Sequence, residues 1–140
     1  MCSRIEKVLT LLAENSRRID ALTAGLAPAR LHTVPILAGW SANDVLAHLR
    51  SCADVWGDCI RAIIAEEVPT LRAVDPRTWI KQTDYLDLAF QLSLRAFATQ
   101  RTELLALLEP LPHDSWSCAA TVTGAGRPLQ RTAMSFAQPP

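Results

Sequence analysis

Gly39-Trp40-Ser41-Ala42-Asn43-Asp44-Val45-Leu46-Ala47-His48-Leu49 is the stretch that decides how the chain folds. Ser41 carries a hydroxyl that can accept a backbone N–H at a helix start. Asp44, three residues on, can reach back to the cap while its charge favours the positive helix end. A long helix therefore starts here. Val45, Leu49, Trp56, Ile60 and Ile63 recur at helical spacing and give it one apolar face. His48 falls beside them, so a titratable, metal-competent imidazole points at the core.

Upstream, Ile5, Val8, Leu9, Leu12, Ile19 and Leu22 follow the same period from Ser3 to Gly25, with Arg17, Arg18 and Asp20 opposite. This is a first amphipathic helix, and Gly25 is placed to stop it. Residues 26–40 hold Pro28, Pro35 and Gly39 and read as a long connecting loop. Downstream, the second helix runs to about Glu67, ahead of Pro69. A loop with Asp75-Pro76 and Trp79 then leads to Thr83-Asp84 as a new cap. Leu86, Phe90, Phe97, Leu104, Leu105 and Leu108 carry a third helix to Glu109-Pro110. Leu111 to Trp116 suggests a short helical turn, and Thr121 to Pro128 a loop or short extended piece. Leu129, Ala133, Met134, Phe136 and Ala137 give Leu129–Gln138 the pattern of a short fourth helix.

Helices with one apolar stripe must bury it, and the usual solution is a four-helix bundle. The expectation is a single all-α domain over residues 1–140, an up-down four-helix bundle with a shortened fourth helix. Three helices of about 23–27 residues reach roughly 35–40 Å, whereas ten residues reach about 15 Å. Either the groove therefore lies open, or something else fills it, or the chain is a truncated version of a longer one. A β-sheet among these segments would count against this reading.

Lys+Arg and Asp+Glu both total 14, so no net field draws the chain to phosphate backbones or anionic lipid. Nucleic acid and membrane are not expected partners. No secretory signal pattern opens the sequence, and no apolar run approaches the ~20 residues that span a bilayer. The expected compartment is the cytoplasm. Cys2, Cys52, Cys59 and Cys118 form no CxxC pair or zinc-finger spacing and read as free thiols.

The Gly39-Trp40-Ser41…Asp44-Val45-Leu46-Ala47-His48-Leu49 run, followed by Trp56, resembles the DinB-like family of four-helix bundles, which is distinct from the polymerase sharing that label. Phe97…Gln100-Arg101…Leu104-Leu105…Leu108, then Leu111, Trp116 and Gly124-Ala125-Gly126-Arg127-Pro128-Leu129, follow in matching order. The resemblance covers about residues 20–138. It implies a divalent metal, commonly zinc or nickel, held by three histidines, with His48 at the position of the first. The family's other two form an H-x-x-x-H pair in the last helix. Here Ser135-Phe136-Ala137-Gln138 leads into Pro139-Pro140 without one, which suggests a C-terminally truncated member.

The resemblance accordingly implies a metal-dependent thiol transferase or hydrolase-like enzyme, acting on a small molecule or thiol adduct, whose metal site is incomplete in this chain. The alternative is a non-catalytic helical module that dimerises or binds a partner through the open groove, and a decayed, frameshifted gene product is a third possibility. Asp44, His48 and Cys52 stand at successive i, i+4 positions, so a substitute site is conceivable, though a capping Asp and a small buried thiol explain the same residues. His32 and His113 read as solvated loop histidines. The tryptophans Trp40, Trp56, Trp79 and Trp116 read as loop-to-core anchors, and Arg101 and Arg127 as surface or ion-pair residues. Gly124-Ala125-Gly126-Arg127 lacks the Lys-Ser/Thr of a phosphate loop.

Overall fold

The computed structural model describes residues 2–35 and 39–138, with side chains from Arg4 onward. The Cys2 side chain and Pro139-Pro140 lie outside the described residues. Six helices, α1 (Cys2–Thr23), α2 (Pro28–Leu31), α3 (Ala42–Ala65), α4 (Pro76–Trp79), α5 (Phe90–Leu108) and α6 (Ala133–Ala137), alternate with three strands. These are β1 (Thr70–Arg72), β2 (Ala119–Thr123) and β3 (Leu129–Thr132). Short 3-10 turns cover Ile80–Gln82, Tyr85–Asp87 and His113–Ser117.

The long helices obey their local signals. Gly25 takes φ +81° just past α1, where a side chain would be strained. At the start of α3, Ser41 Oγ accepts the Asp44 N–H at 3.0 Å and Asp44 Oδ2 accepts the Ser41 N–H at 2.9 Å. That reciprocal cap is worth about 1 kcal/mol. α5 packs against both α1 and α3, and α6 packs on α3.

Two apolar clusters result. In the larger, Ile5, Val8 and Leu12 of α1 meet Ile60 and Ile63 of α3, Leu104 and Leu108 of α5, and Met134, Phe136 and Ala137 of α6, with Trp116 and Ala120 beneath. In the smaller, Leu31, Leu46, Ala53, Phe90, Leu94 and Phe97 pack together beside Ile19 and Leu49. Each Val, Leu, Ile, Met or Phe among them contributes about 1.5–3 kcal/mol when fully buried.

The all-α expectation overstates the helical character, because a three-stranded sheet is present. β1 runs parallel to β2, pairing Thr70 with Thr121, and β3 runs antiparallel to β2, pairing Leu129 with Val122. Leu129–Thr132 is therefore strand, not the first turn of a helix. Gly124 and Gly126, at φ +90° and +82°, let the chain double back so that β3's N–H and C=O groups find β2. Helix resumes where the Thr132 hydroxyl accepts the Ser135 N–H.

Further departures share a cause in long-range contacts. α5 starts at Phe90 rather than after Asp84, because residues 85–87 form a 3-10 turn pinned to α3. The predicted 26–40 loop contains α2, whose Leu31 is buried. Val45 and Leu22, expected inside, are 45% and 80% exposed and take no part in the Leu31, Leu46 and Phe97 cluster that closes that end. Among the described residues, no helix is long and apolar enough to cross a membrane.

Candidate functional site

His48 lies half-buried in the second turn of α3, held there by the cap at Ser41. Its ring meets the Trp40 indole edge-on, with centroids 5.4 Å apart. Both line a cavity of about 380 Å³ walled by Gly39, Ile80 and Leu86, with Asp44 and Arg77 as its charged groups. Trp40 thus departs from the anchor reading: it is 47% exposed and forms a wall of this cavity.

On its other side His48 Nε2 stands 3.5 Å from Cys52 Sγ, one turn along α3. The i, i+4 spacing brings the two together on one face. Burial pushes the Cys52 thiol up from its ordinary pKa, against an opposing pull from the Arg101 guanidinium. Asp75 sits within electrostatic reach of His48. Its carboxyl is held below the usual range chiefly by hydrogen bonds from the Arg77 backbone and side chain, with His48 contributing least.

Asp54 organises a second polar site that the sequence reading missed. Its carboxylate accepts from Trp79 Nε1 at 3.1 Å, from the Tyr85 hydroxyl at 2.5 Å and from Gln100 Nε2. These bonds strap the segment between β1 and α5 across α3. Above them the Arg50 guanidinium lies 3.7 Å from the Tyr85 ring centroid and donates to Ser93 Oγ. Burial, followed by the bond to the Asp54 carboxylate, pushes the Tyr85 pKa up to about 12. A cavity of about 300 Å³ opens beside this hub, walled by Asp58, Arg61, Gln100 and Arg101. The available sequence signal was the polar stripe Arg50, Asp54, Asp58 and Arg61, which repeats every three or four residues of α3.

Other expectations need correction. His32 is not merely a solvated loop histidine: its Nε2 accepts the Phe90 N–H at 3.2 Å, supplying α5 with the cap that Ala89 lacks. His113 is exposed in the turn after α5. Arg101 is half-buried rather than a free surface group, and among the described residues it forms no ion pair. It lies over the Phe97 ring with its Nε buried, and burial lowers its pKa. Trp116 is buried in the larger cluster and Trp56 packs against it, as anchors would, whereas the half-buried Trp79 ties its segment to the Asp54 carboxylate of α3.

A metal can be tested against the donors present. The His48–Cys52 pair offers one nitrogen and one sulfur at chelating separation. A catalytic zinc commonly takes three protein ligands, and among the described residues no group of three His, Cys, Asp or Glu side chains could hold a metal ion. The donor pair suits a metal, but it does not complete a catalytic centre.

The family model of the DinB superfamily matches residues 11–137, which span both the helix of His48 and α6. The chain belongs to the DinB superfamily. This DinB chain is also similar in structure to YfiT from Bacillus subtilis, described as "a probable metal-dependent hydrolase with an unusual four-helix bundle topology". The TM-score is 0.78 at 18% sequence identity, over 95% of this chain and 75% of that one. At that identity the likeness establishes the fold. Among curated proteins none matches. The sheet does not count against the kinship, contrary to the expectation set from the sequence. It is built from the connections on either side of α5 and leaves the three long helices in place.

Proposed function

We propose that this DinB chain is a metal-dependent enzyme of the thiol transferase or hydrolase-like kind, acting on a small molecule, with His48 as one ligand of a divalent metal, zinc or nickel. The observation that carries this reading is the position of His48, a half-buried imidazole at an apolar cavity of about 380 Å³. That volume lies within the usual range for small-molecule sites, roughly 300–1,000 Å³. The family membership and the description of YfiT support the same reading. A metal there would supply Lewis acidity or an activated water. The chain's own contribution is to fix His48 through the Ser41–Asp44 cap and to present Trp40, Ile80 and Leu86 as apolar walls. Further ligands would come from a second chain or from residues outside those described.

Elemental analysis of metal-depleted protein after adding zinc or nickel, with a His48→Ala variant alongside, tests this. The expected result is near-stoichiometric metal in the parent chain and its loss in the variant. Equal, substoichiometric metal in both would overturn the assignment.

A second reading rests on a separate observation. Leu22 and Val45 stand exposed at the end of the bundle that α6 does not reach. That apolar surface favours a helical module that dimerises or takes a partner. Light scattering across a dilution series should then show an assembly larger than the 15.4 kDa chain. A monomer at every concentration would remove the dimer.

A further inference from the structure

The cavity of about 300 Å³ beside the Asp54 hub has Asp54, Asp58, Arg61 and Arg101 as its charged groups. Three of them are engaged. Asp54 accepts from Trp79, Tyr85 and Gln100, and Arg61 Nη1 lies 3.5 Å from Asp58 Oδ1. Arg101 has no carboxylate within ion-pair distance among the described residues, and its buried Nε has no hydrogen-bond partner. Neither Nη atom is among the buried, unpartnered ones, so these are the donors open to a ligand. The Phe97 ring, 4.9 Å away, answers only part of the charge. Taking a guanidinium partly out of water is costly unless an anion meets it. We propose that this cavity binds a small organic monocarboxylate, whose two oxygens take the fork of Arg101.

Three further observations fix the class of ligand. The planar guanidinium matches a carboxylate with two parallel hydrogen bonds. Asp54 and Asp58 place negative charge on the α3 wall, which tells against a dianion such as phosphate and leaves room for a single charge at the α5 wall. Trp79 and Leu104 supply apolar surface for the body of the ligand. Gly57 keeps the floor of the cavity clear. A Cβ there would meet only Arg61 Nη1, at 3.2 Å, with no other atom within 4 Å. Glycine weakens the middle of a helix, and here close packing does not demand it. Desolvation lowers the Arg101 pKa, and the Cys52 thiol alone pulls it back. An anion seated on the guanidinium would offset that cost. His48 lines a different cavity, so the proposal does not depend on a metal at His48.

Benzoate is the probe, with neutral benzamide and inorganic phosphate beside it. Each is titrated into the whole, chelator-treated chain by calorimetry and by nuclear magnetic resonance of the arginine Nε–H groups, the Arg101 signal being the one absent from Arg101→Met. Benzoate should saturate at one molecule per chain and shift the Arg101 signal. Benzamide and phosphate should bind at least about tenfold more weakly, and Arg101→Met should lose benzoate affinity by at least about the same factor, the worth of a charge-assisted hydrogen bond. His48→Ala should bind benzoate as the parent does. A shift that grows linearly without saturating, or saturable binding that leaves the Arg101 signal unmoved, would overturn the proposal. Phosphate binding as tight as benzoate would overturn the monocarboxylate class, and loss of benzoate in His48→Ala would move the anion to the other cavity. Arg101→Met removes an unpaired charge and is expected to fold. Should it not, the saturation of the parent's Arg101 signal, identified by Arg101→Lys, decides.

Discussion

The two ends of α3 share one helix and differ in how they are covered. At its C-terminal end Ile60 and Ile63 are enclosed by α1, α5, α6 and Trp116, and Ile60, Leu108 and Ala133 have no exposed surface. At its N-terminal end Leu46 and Ala53 are enclosed by α2 and α5, while Val45 and Trp40 remain about half exposed. The five residues of α6 seal only one end. His48 and the cavity of about 380 Å³ beside it lie at the other. Along this helix the larger buried cluster gathers where α1, α5 and α6 converge, and the half-buried His48 lies outside it.

The sharpest way to break that comparison is Phe136→Ala, which removes a side chain 5% exposed in the sealed cluster. It should cost about 3–5 kcal/mol in urea unfolding; a loss under about 1 kcal/mol would show that α6 does not close the core. Asp54→Ala comes next. It strips one carboxylate from three half-buried donors that water can partly satisfy in its place, and about 2–3 kcal/mol should be lost, the net worth of roughly one hydrogen bond to a charged group. Limited proteolysis should then cut first between β1 and α5. Unchanged cleavage would mean that the strap is held by other contacts.

Tyr85 sharpens the comparison through pH. It is the only tyrosine in the sequence, so alkaline ultraviolet titration reads it alone. The phenol should ionise near pH 12 rather than 10. Because the folded value is raised, the stability it contributes is complete below pH 10 and is lost as the pH climbs toward 12. Asp54→Asn should return the midpoint toward 10, and a midpoint already there in the parent chain would dismiss the Asp54–Tyr85 bond. The smallest effect is expected from Val45→Thr at the open end, within about 0.5 kcal/mol of the parent. A larger loss would reveal a cover over that surface, and its dependence on protein concentration would identify a second copy.

Much of this was readable from the sequence at the level of single elements. The Ser41–Asp44 cap, the stop at Gly25 and the breadth of the three long helices follow from residues within a few positions of one another, and the DinB resemblance followed from the same blocks. The strand at Leu129–Thr132 was not readable, because Leu129 with Ala133, Met134 and Phe136 also fits the face of one helix and only pairing with β2 decides where strand gives way to helix. Nor was the late start of α5, which depends on Asp54 holding Tyr85 at a separation of 31 residues. His48 was found from its local block. Its contact with Cys52 was within reach of spacing alone, whereas the cavity beside it was not, since Ile80 and Leu86 arrive from the strap.

The sequence by itself determined where α1 stops and where α3 starts, because a C-terminal glycine and a capping box act within one or two turns. Tertiary structure alone decided that His32 caps a helix 58 residues away and that Asp54 gathers Trp79, Tyr85 and Gln100. Those outcomes depend on distant segments meeting, and burial rewards such meetings without leaving any fixed spacing in the chain to announce them.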